Sequence, residues 1–262
     1  MAYSPKKKPI KKKAGSTSWG GVAKWYGEYL QKGDTYQESV LLPNILRMLN
    51  LQKGECVLDL ACGEGYFARE FLKAGAIITG VDISPELIAQ AKAHRDGIEY
   101  YTAPATKLIF AKDNAYSTVL CILALQNIAD LPAVFKEVRR VLKSGGRFVM
   151  VINHPAFRVL KRSSWGFDEK DGVQYRRIDG YLSSAKIFVD MHPSKQAAPH
   201  TISYHRSLQD FIKALRGAGF AVTQLEEWIS HRTSSIGPRQ KAEDTARKEI
   251  PLFMALEAKV LD

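Results

Sequence analysis

The sequence has 262 residues, of which 45% are hydrophobic and 25% are charged, and its formal net charge at pH 7 is +11. This length suits one large α/β domain, or a domain with a small addition, and the composition is ordinary for a globular protein. No apolar run approaches the roughly 20 residues that a membrane-spanning helix needs, and the basic N-terminus lacks the apolar segment of a secretory signal.

The first 13 residues contain six lysines, which only Pro9 and Ile10 interrupt. A lysine-rich stretch without apolar periodicity is typical of disordered chain, so residues 1–16 are predicted to form a disordered basic tail. Such a tail either keeps the protein soluble or binds nucleic acid, because clustered lysines attract phosphate without reading base sequence. The sequence leaves both roles open.

Residues 17–262 are predicted to form a single domain that begins with helices over residues 17–53. Within them, Tyr36–Asn50 has a helical spacing of apolar residues. Over residues 54–152, short apolar runs alternate with amphipathic helices that start at Glu64, at the Ser84-Pro85 pair and at Asp130. The apolar runs are predicted to be five strands: Cys56–Ala61, Ala76–Val81, Ile98–Thr102, Tyr116–Ile122 and Arg147–Ile152.

Five strands separated by helices predict an α/β fold with a doubly wound, Rossmann-like, mostly parallel sheet. The alternation stops after residue 152, so residues 153–206 are predicted to be an insertion. Ser207 and Asp210 have the spacing of a capping box and begin a helix in residues 207–262. The strands predicted after it, Phe220–Trp228 and Leu252–Ala258, favour an antiparallel C-terminal strand at the sheet edge.

A Gly-x-Gly turn lies between the first predicted strand and its helix, in the sequence V-L-D-L-A-C-G-E-G-Y-F that starts at Val57. Glycines let a backbone approach a ligand closely, and a helix N-terminus offers unpaired N–H groups to an anion. Asp82, at the end of the second predicted strand, follows at nearly the offset where a carboxylate binds ribose hydroxyls in dinucleotide-binding folds.

Asp59 separates two classes of cofactor for this turn. A nicotinamide dinucleotide brings a pyrophosphate here, and a carboxylate four residues before Gly63 would repel it. S-adenosylmethionine brings an ammonium group and a sulfonium, which a carboxylate attracts. Charge complementarity therefore favours the methyl donor.

V-L-D-L-A-C-G-E-G and the later G-V-D-I-S resemble the first two motifs of the class I methyltransferases, nearest the ubiquinone/menaquinone-biosynthesis-like (type 11) branch. The segment L-P-A-V-F-K-E-V-R-R-V-L-K-S-G-G-R-F-V-M resembles the helix and fifth strand of that group. The resemblance implies an S-adenosylmethionine-dependent methyltransferase. It extends from about residue 40 to 152 and returns loosely in the last two strands.

The resemblance also implies the roles of the cofactor-binding residues. The methionine end of the cofactor is expected at Asp59, Ala61, Gly63 and Gly65. Asp82 is expected at the ribose hydroxyls. The adenine is expected at Ile83 and at the Ala105 N–H, and Leu123 is also expected at the cofactor.

Two positions depart from the family pattern. Pro104 stands where relatives often have an aspartate, so the usual contact to the adenine amino group is missing. Ser117 stands where an aspartate often precedes the fourth strand.

The acceptor is expected beyond the carboxyl ends of the strands. His154 and Asn127 are the candidate catalytic residues, and Gln126 is a candidate for binding the acceptor. Each has an alternative role, since His154 precedes Pro155 in a turn and the two amides are suited to helix capping. Tyr26 is a candidate aromatic lid over the sulfonium, where a cation–π contact contributes about 0.5–2 kcal/mol.

The insertion is rich in aromatic and basic residues and is predicted to cap the acceptor site. Arg176 and Tyr181 are its candidate acceptor-binding residues; a structural subdomain or dimer surface is the alternative. His192, His205 and His231 lack metal-ligand spacing, so no metal site is predicted.

These observations leave three hypotheses: a methyltransferase for a small, aromatic or anionic acceptor, an RNA or DNA methyltransferase, and a cofactor-binding protein without catalysis. The odd number of cysteines, in or beside apolar segments, predicts reduced thiols and a cytoplasmic protein. The sequence leaves the oligomeric state open.

Overall fold

A computed structural model of the protein describes residues 33–190 and 200–261. The predicted basic tail, the first part of the predicted N-terminal helices with Tyr26, and His192 lie outside the described residues. Across the ranges that are described, no helix has the length and apolar character needed to cross a membrane.

The described residues form eleven strands. In chain order they are β1 (Cys56–Leu60), β2 (Ile77–Asp82), β3 (Glu99–Thr102), β4 (Tyr116–Ile122), β5 (Leu142–Asn153), β6 (Ser163–Asp168), β7 (Val173–Ile178), β8 (Ala185–Asp190), β9 (His200–His205), β10 (Phe220–Trp228) and β11 (Phe253–Val260). A π-helical turn, Gln37–Leu41, leads into the first of the helices. These are α1 (Leu42–Leu49), α2 (Tyr66–Lys73), α3 (Pro85–Ala93), α4 (Leu131–Val141), α5 (Leu208–Gly217) and α6 (Gln240–Glu249).

Seven of the strands form one sheet in the order β10-β11-β5-β4-β1-β2-β3. Strands β1 to β5 run parallel, while β11 is antiparallel to both β5 and β10. The predicted mostly parallel sheet with antiparallel pairing at one edge is confirmed. The C-terminal strand β11 is second from the edge, with β10 outside it. The sequence analysis did not predict α6, because this helix is polar and buries only Ala246 among its residues.

Burial on both faces of the sheet follows from the alternation of side chains along each strand. In β5, Phe148 and Met150 join a core that includes α4 and α5. Val149 and Val151 point the other way, into a core that includes α1, α2 and α3. This arrangement is the predicted doubly wound layer structure.

Side-chain caps fix the starts of three helices. The Ser84 hydroxyl accepts a hydrogen bond from the Leu87 N–H at 3.3 Å, and the Asp130 carboxylate accepts one from the Ala133 N–H at 3.0 Å. Ser207 forms the predicted capping box. A cap of this kind contributes about 1 kcal/mol. Two of these helices, α3 and α4, begin at the carboxyl edge of the sheet and therefore frame the site described below.

The predicted insertion contains two antiparallel hairpins, β6–β7 and β8–β9, for which the sequence pattern gave no elements. The second hairpin is tied to the loop after β4. The Ser203 hydroxyl donates to the Gln126 carbonyl at 3.4 Å, and the Arg206 guanidinium donates to the carbonyls of Ile128 and Ala129 at 2.8 and 2.5 Å. The end of the insertion thereby lies against the carboxyl edge of the sheet.

Candidate active site

A cavity of about 420 Å³ opens at the carboxyl ends of the parallel strands, the edge where doubly wound sheets bind ligands. Its size lies in the usual range for small-molecule sites. The wall includes residues from the ends of β1, β2 and β4 and from the loop after β3. Eight predicted site residues line it: Asp59, Ala61, Gly63, Asp82, Ile83, Ala105, Leu123 and Asn127.

The turn between β1 and α2 has a left-handed backbone at Ala61, Gly63 and Gly65, with φ of 62°, 59° and 82°. A Cβ atom on Gly65 would lie 2.5 Å from the Tyr100 hydroxyl oxygen, so a side chain does not fit there. A Cβ atom on Gly63, in contrast, would meet no protein atom within 4 Å. Gly63 therefore leaves space in the cavity, while Gly65, which does not line the cavity, lets the turn pack against β3.

Asp59 is a buried carboxylate without a hydrogen-bond partner on Oδ2 among the described residues; only 2% of the residue is exposed. Burial, together with the negative charge of Asp82, raises the pKa of Asp59 to about 7. Leaving a carboxylate oxygen unpaired in this way destabilises the free protein. A cationic ligand group in the cavity would supply the missing partner.

Asp82 is held by the backbone around it. Its Oδ2 accepts from the Gly63 N–H at 3.0 Å and its Oδ1 accepts from the Ser84 N–H at 2.8 Å. Burial raises the pKa of Asp82, and these N–H groups oppose that rise. Beside it, Ile83 is 52% exposed although it is a large apolar residue on the cavity wall. A carboxylate next to an exposed apolar surface suits a ligand that has hydroxyl groups and a flat ring.

Leu123 and Asn127 form the wall after β4. Leu123 has a left-handed backbone, with φ of 54°, and its N–H donates to the Val151 carbonyl at 2.7 Å. The Leu123 carbonyl then accepts from the Asn127 side-chain amide at a long 3.4 Å. This weak bond leaves the Asn127 amide able to turn toward a ligand.

Besides Gly65, four of the predicted site residues that the structure describes do not line this cavity, and His154 is the most important of them. Its Nε2 lies 2.6 Å from a carboxylate oxygen of Glu227, and its Nδ1 accepts from the N–H groups of Ala156 and Phe157 at 3.2 and 3.3 Å. Both ring nitrogens are therefore occupied. Burial lowers the pKa of His154, with Glu227 acting in the opposite direction. The structure corrects the expected position, since β5 delivers His154 toward β10 and β11 instead of toward β1.

The other three are also held by protein partners. Arg176 donates to the Phe157 carbonyl at 3.0 Å and to the Ser163 hydroxyl at 2.7 Å, and the Tyr181 hydroxyl accepts from the Leu208 N–H at 2.9 Å. These contacts join parts of the insertion to each other and to α5, so neither residue is placed on the inner face of a cap. Gln126 lines a second, smaller cavity.

Several residues that line the main cavity were not among the predicted site residues, including Tyr66, Phe67, Thr106, Ile128 and Tyr204. Tyr66 and Phe67 directly follow the glycine turn, and that position alone would have identified them. Tyr204 reaches the cavity only through the pairing of β8 with β9, which no local pattern in the insertion predicts.

The cavity fits S-adenosylmethionine by the chemistry of its wall. The unpaired Asp59 Oδ2 is suited to the ammonium group, and the space at Gly63 admits the methionine end close to the backbone. Asp82 is suited to the ribose hydroxyls and Ile83 to the adenine.

Comparisons with known proteins agree with this chemistry. Residues 58–150 match a protein family described as a methyltransferase domain. A demethylmenaquinone methyltransferase of Chlorobaculum parvum is 28% identical over 189 residues, which cover 71% of this chain and 74% of the relative.

Solved structures extend the likeness over most of the chain. The crystal structure of an S-adenosylmethionine-dependent methyltransferase from Mesorhizobium loti has 27% identity and a TM-score of 0.69, covering 86% of this chain and 99% of that one. The glycopeptide N-methyltransferase MtfA, solved with S-adenosylmethionine, covers 98% of this chain and 100% of its own, with 14% identity and a TM-score of 0.54, and so shows the fold alone. Its motifs, its sheet and these relatives identify the chain as an S-adenosylmethionine-dependent methyltransferase with the class I fold, similar over residues 58–150 to the type 11 branch.

Proposed function

We propose that this methyltransferase modifies a small-molecule acceptor, aromatic or anionic, in the cytoplasm that its unpaired cysteines favour. The observation that carries the proposal is the position of Tyr204. This residue belongs to the insertion and lines the same cavity as Asp59 and Asp82. An aromatic wall from the insertion suits a flat acceptor that is enclosed beside the cofactor. Enclosing the acceptor is also the role that we propose for residues 153–206, as a cap.

The relatives support the same class of acceptor. By its name, the Chlorobaculum parvum relative is a demethylmenaquinone methyltransferase, whose acceptor is a small molecule and not a nucleic acid. At 28% identity the shared property that we carry over is a small-molecule acceptor, and not that compound itself.

The residues around the cavity act by placing the acceptor. S-adenosylmethionine supplies a methyl carbon that its sulfonium already activates, so the protein's task is alignment and the exclusion of water, worth up to about 7–11 kcal/mol. We assign this task to Leu123, Asn127 and Tyr204, which line the cavity after β4 and in β9. An acceptor that reacts without losing a proton needs no base, so the distance of His154 from the cavity does not prevent catalysis.

The proposal is tested with purified full-length protein and donor labelled in the methyl group. It is offered, in parallel, a metabolite extract, total RNA and DNA. We expect label in low-molecular-weight products. Label in RNA or DNA instead, lost on deletion of residues 1–15 and reduced steeply by salt, would overturn the small-molecule acceptor in favour of a nucleic acid bound through the lysine tail.

A further inference from the structure

A second cavity, of about 40 Å³, lies next to the methyl-transfer cavity and shares Tyr204 with it. Its polar lining comes from the loop after β4, the segment after β5 and the end of the second hairpin, and includes Gln126, Arg158, Ser203 and Arg206. Gln126 is the neighbour in sequence of Asn127, which lines the main cavity. Tyr204 is therefore part of the wall of both cavities, on the side of the main cavity that we assign to the acceptor.

Two arginines line this second cavity, and none of the lining residues is acidic. The Arg158 guanidinium has no hydrogen bond or ion pair with any described residue, and although Arg158 is exposed, neighbouring protein displaces part of its water and lowers its pKa. Arg206 binds main-chain carbonyls, lies 5.1 Å from the centre of the Tyr204 ring and has no carboxylate within 4 Å among the described residues. An anion bound between the two guanidinium groups would form charge-assisted hydrogen bonds, with Arg158 as the group that has the most free donors.

Gln126 adds a requirement of a different kind. Its side-chain N–H donates to the Leu123 carbonyl at 2.7 Å, which fixes the orientation of the amide. Its Oε1 is buried and receives no hydrogen bond from the residues that the structure describes. A ligand group that donates a hydrogen bond, such as a hydroxyl or an N–H, would satisfy this oxygen.

The size of the cavity limits what enters it. A water molecule needs about 10–15 Å³ of such space, so 40 Å³ holds about three or four groups of that size. This space suits a small group such as a carboxylate or a phosphate. The remainder of such a ligand would have to extend past Tyr204 into the main cavity.

We propose that this second cavity binds a carboxylate or phosphate group of the methyl acceptor, so that the substrate is an acidic metabolite with a hydrogen-bond donor beside its oxyanion. The proposal rests on the proposed function, because it assumes a small-molecule acceptor. Arg158 is the main recognition residue, since its guanidinium has no other partner. Arg206 and Gln126 complete the site.

The first test compares wild type with Arg158→Gln, Arg158→Lys and the control Arg177→Gln. Arg177 is a neighbouring arginine of the insertion whose partner, Asp179, lies 3.0 Å away and which lies outside both cavities. Methyl-labelled products from the metabolite extract are separated on an anion exchanger, and donor affinity is measured by calorimetry. We expect acidic products from wild type and Arg177→Gln. For Arg158→Gln we expect at least about a tenfold loss of product with unchanged donor affinity, partly restored by Arg158→Lys. Neutral products, or full activity of Arg158→Gln, would overturn the proposal.

The second test does not depend on turnover. Phenyl phosphate and benzoate serve as probes, and benzamide as their neutral counterpart, in titrations of the donor-loaded protein followed by NMR. We expect the charged probes to bind at least about tenfold more tightly than benzamide in wild type, and this preference to vanish in Arg158→Gln. Equal binding of the three probes would reject the anion site. If only RNA or DNA is methylated, the proposed function fails, and the probe titration still decides whether the anion site exists.

Discussion

The carboxyl ends of β1 and β2 and the insertion after β5 contribute to one site by different physical means. At β1 and β2, ligand-facing groups lie at the ends of two adjacent parallel strands, and backbone geometry fixes them: Asp82 accepts from the Gly63 N–H, and both glycines of the turn have a left-handed backbone. In the insertion, Tyr204 reaches the cavity through a hairpin and through Arg206, which holds the loop after β4. We expect the first region to bind the cofactor and, under the proposed function, the second to determine what is methylated.

The largest effect is expected from a substitution that fills the space at Gly63, on the cofactor side of the site. Gly63→Val should abolish donor binding, because its side chain would occupy the cavity, while the left-handed backbone costs only about 1–2 kcal/mol of stability. The control is Gly145→Val, which has a similar φ of 66°, equally open surroundings and no part in the cavity wall. Calorimetry of donor binding and thermal unfolding of both variants check this. Tight donor binding by Gly63→Val would contradict the assignment of the site.

Asp59→Asn should weaken donor binding by about 10- to 100-fold, the usual effect of losing a charged hydrogen bond. It should also stabilise the free protein by about 1–2 kcal/mol at pH 8, since it removes a buried carboxylate with an unpaired oxygen. Asp113→Asn, an exposed acid paired with Arg140, is the control. A variant that lost stability and kept donor affinity would show that Asp59 serves the fold and not the ligand.

From the raised pKa of Asp59 we expect stability and donor affinity to depend on pH in opposite directions. Asp59 has a pKa of about 7 in the folded free protein and near 4 when unfolded. Between these values only the unfolded chain has lost the proton, so raising the pH from 4 to 7 lowers the stability of the free protein through this group. Donor affinity should change the other way, rising by up to about tenfold per pH unit as pH approaches 7 from below, because the ammonium group pairs with the ionised form. Both trends should disappear in Asp59→Asn.

A smaller effect is expected from substituting Tyr204, which belongs to the insertion after β5. Tyr204→Ala should lower kcat/KM by about 10- to 100-fold through weaker acceptor binding and change donor affinity by less than about threefold, because only the insertion side of the wall is lost. Tyr204→Phe should keep most of the activity if the ring acts by packing. Steady-state kinetics with donor and acceptor varied separately check this, and an equal loss of affinity for both ligands would show that the two regions are not separate.

The smallest effect on chemistry is expected from His154. Its ring nitrogens bind Glu227 and two backbone N–H groups, so His154→Ala should cost about 1–3 kcal/mol of stability and leave single-turnover methylation nearly unchanged. A large loss of methylation with unchanged donor affinity and stability would restore the catalytic role that its position after β5 suggested.

The sequence allowed the sheet and the cofactor wall to be predicted because the determining interactions are local. Apolar runs, the Ser84 and Asp130 caps and the glycine turn each act over fewer than ten residues. The directions of the side chains after β5, in contrast, depend on pairing between strands that are far apart in sequence. Asn153 and His154 are adjacent to each other and to the carboxyl edge, but the pairing of β5 with β11 turns His154 away from β1.

The position of β11 between β5 and β10 has a consequence for how the protein forms during synthesis. When β10 leaves the ribosome, the strand that will hold it in the sheet has not yet been made, and β5 still presents an open edge of main-chain N–H and C=O groups. Strand β11 must then pair with β5, which was synthesised about a hundred residues earlier. Pairing between strands so far apart in sequence slows folding. We therefore expect the nascent chain to need protection at that edge until Phe253–Val260 has emerged.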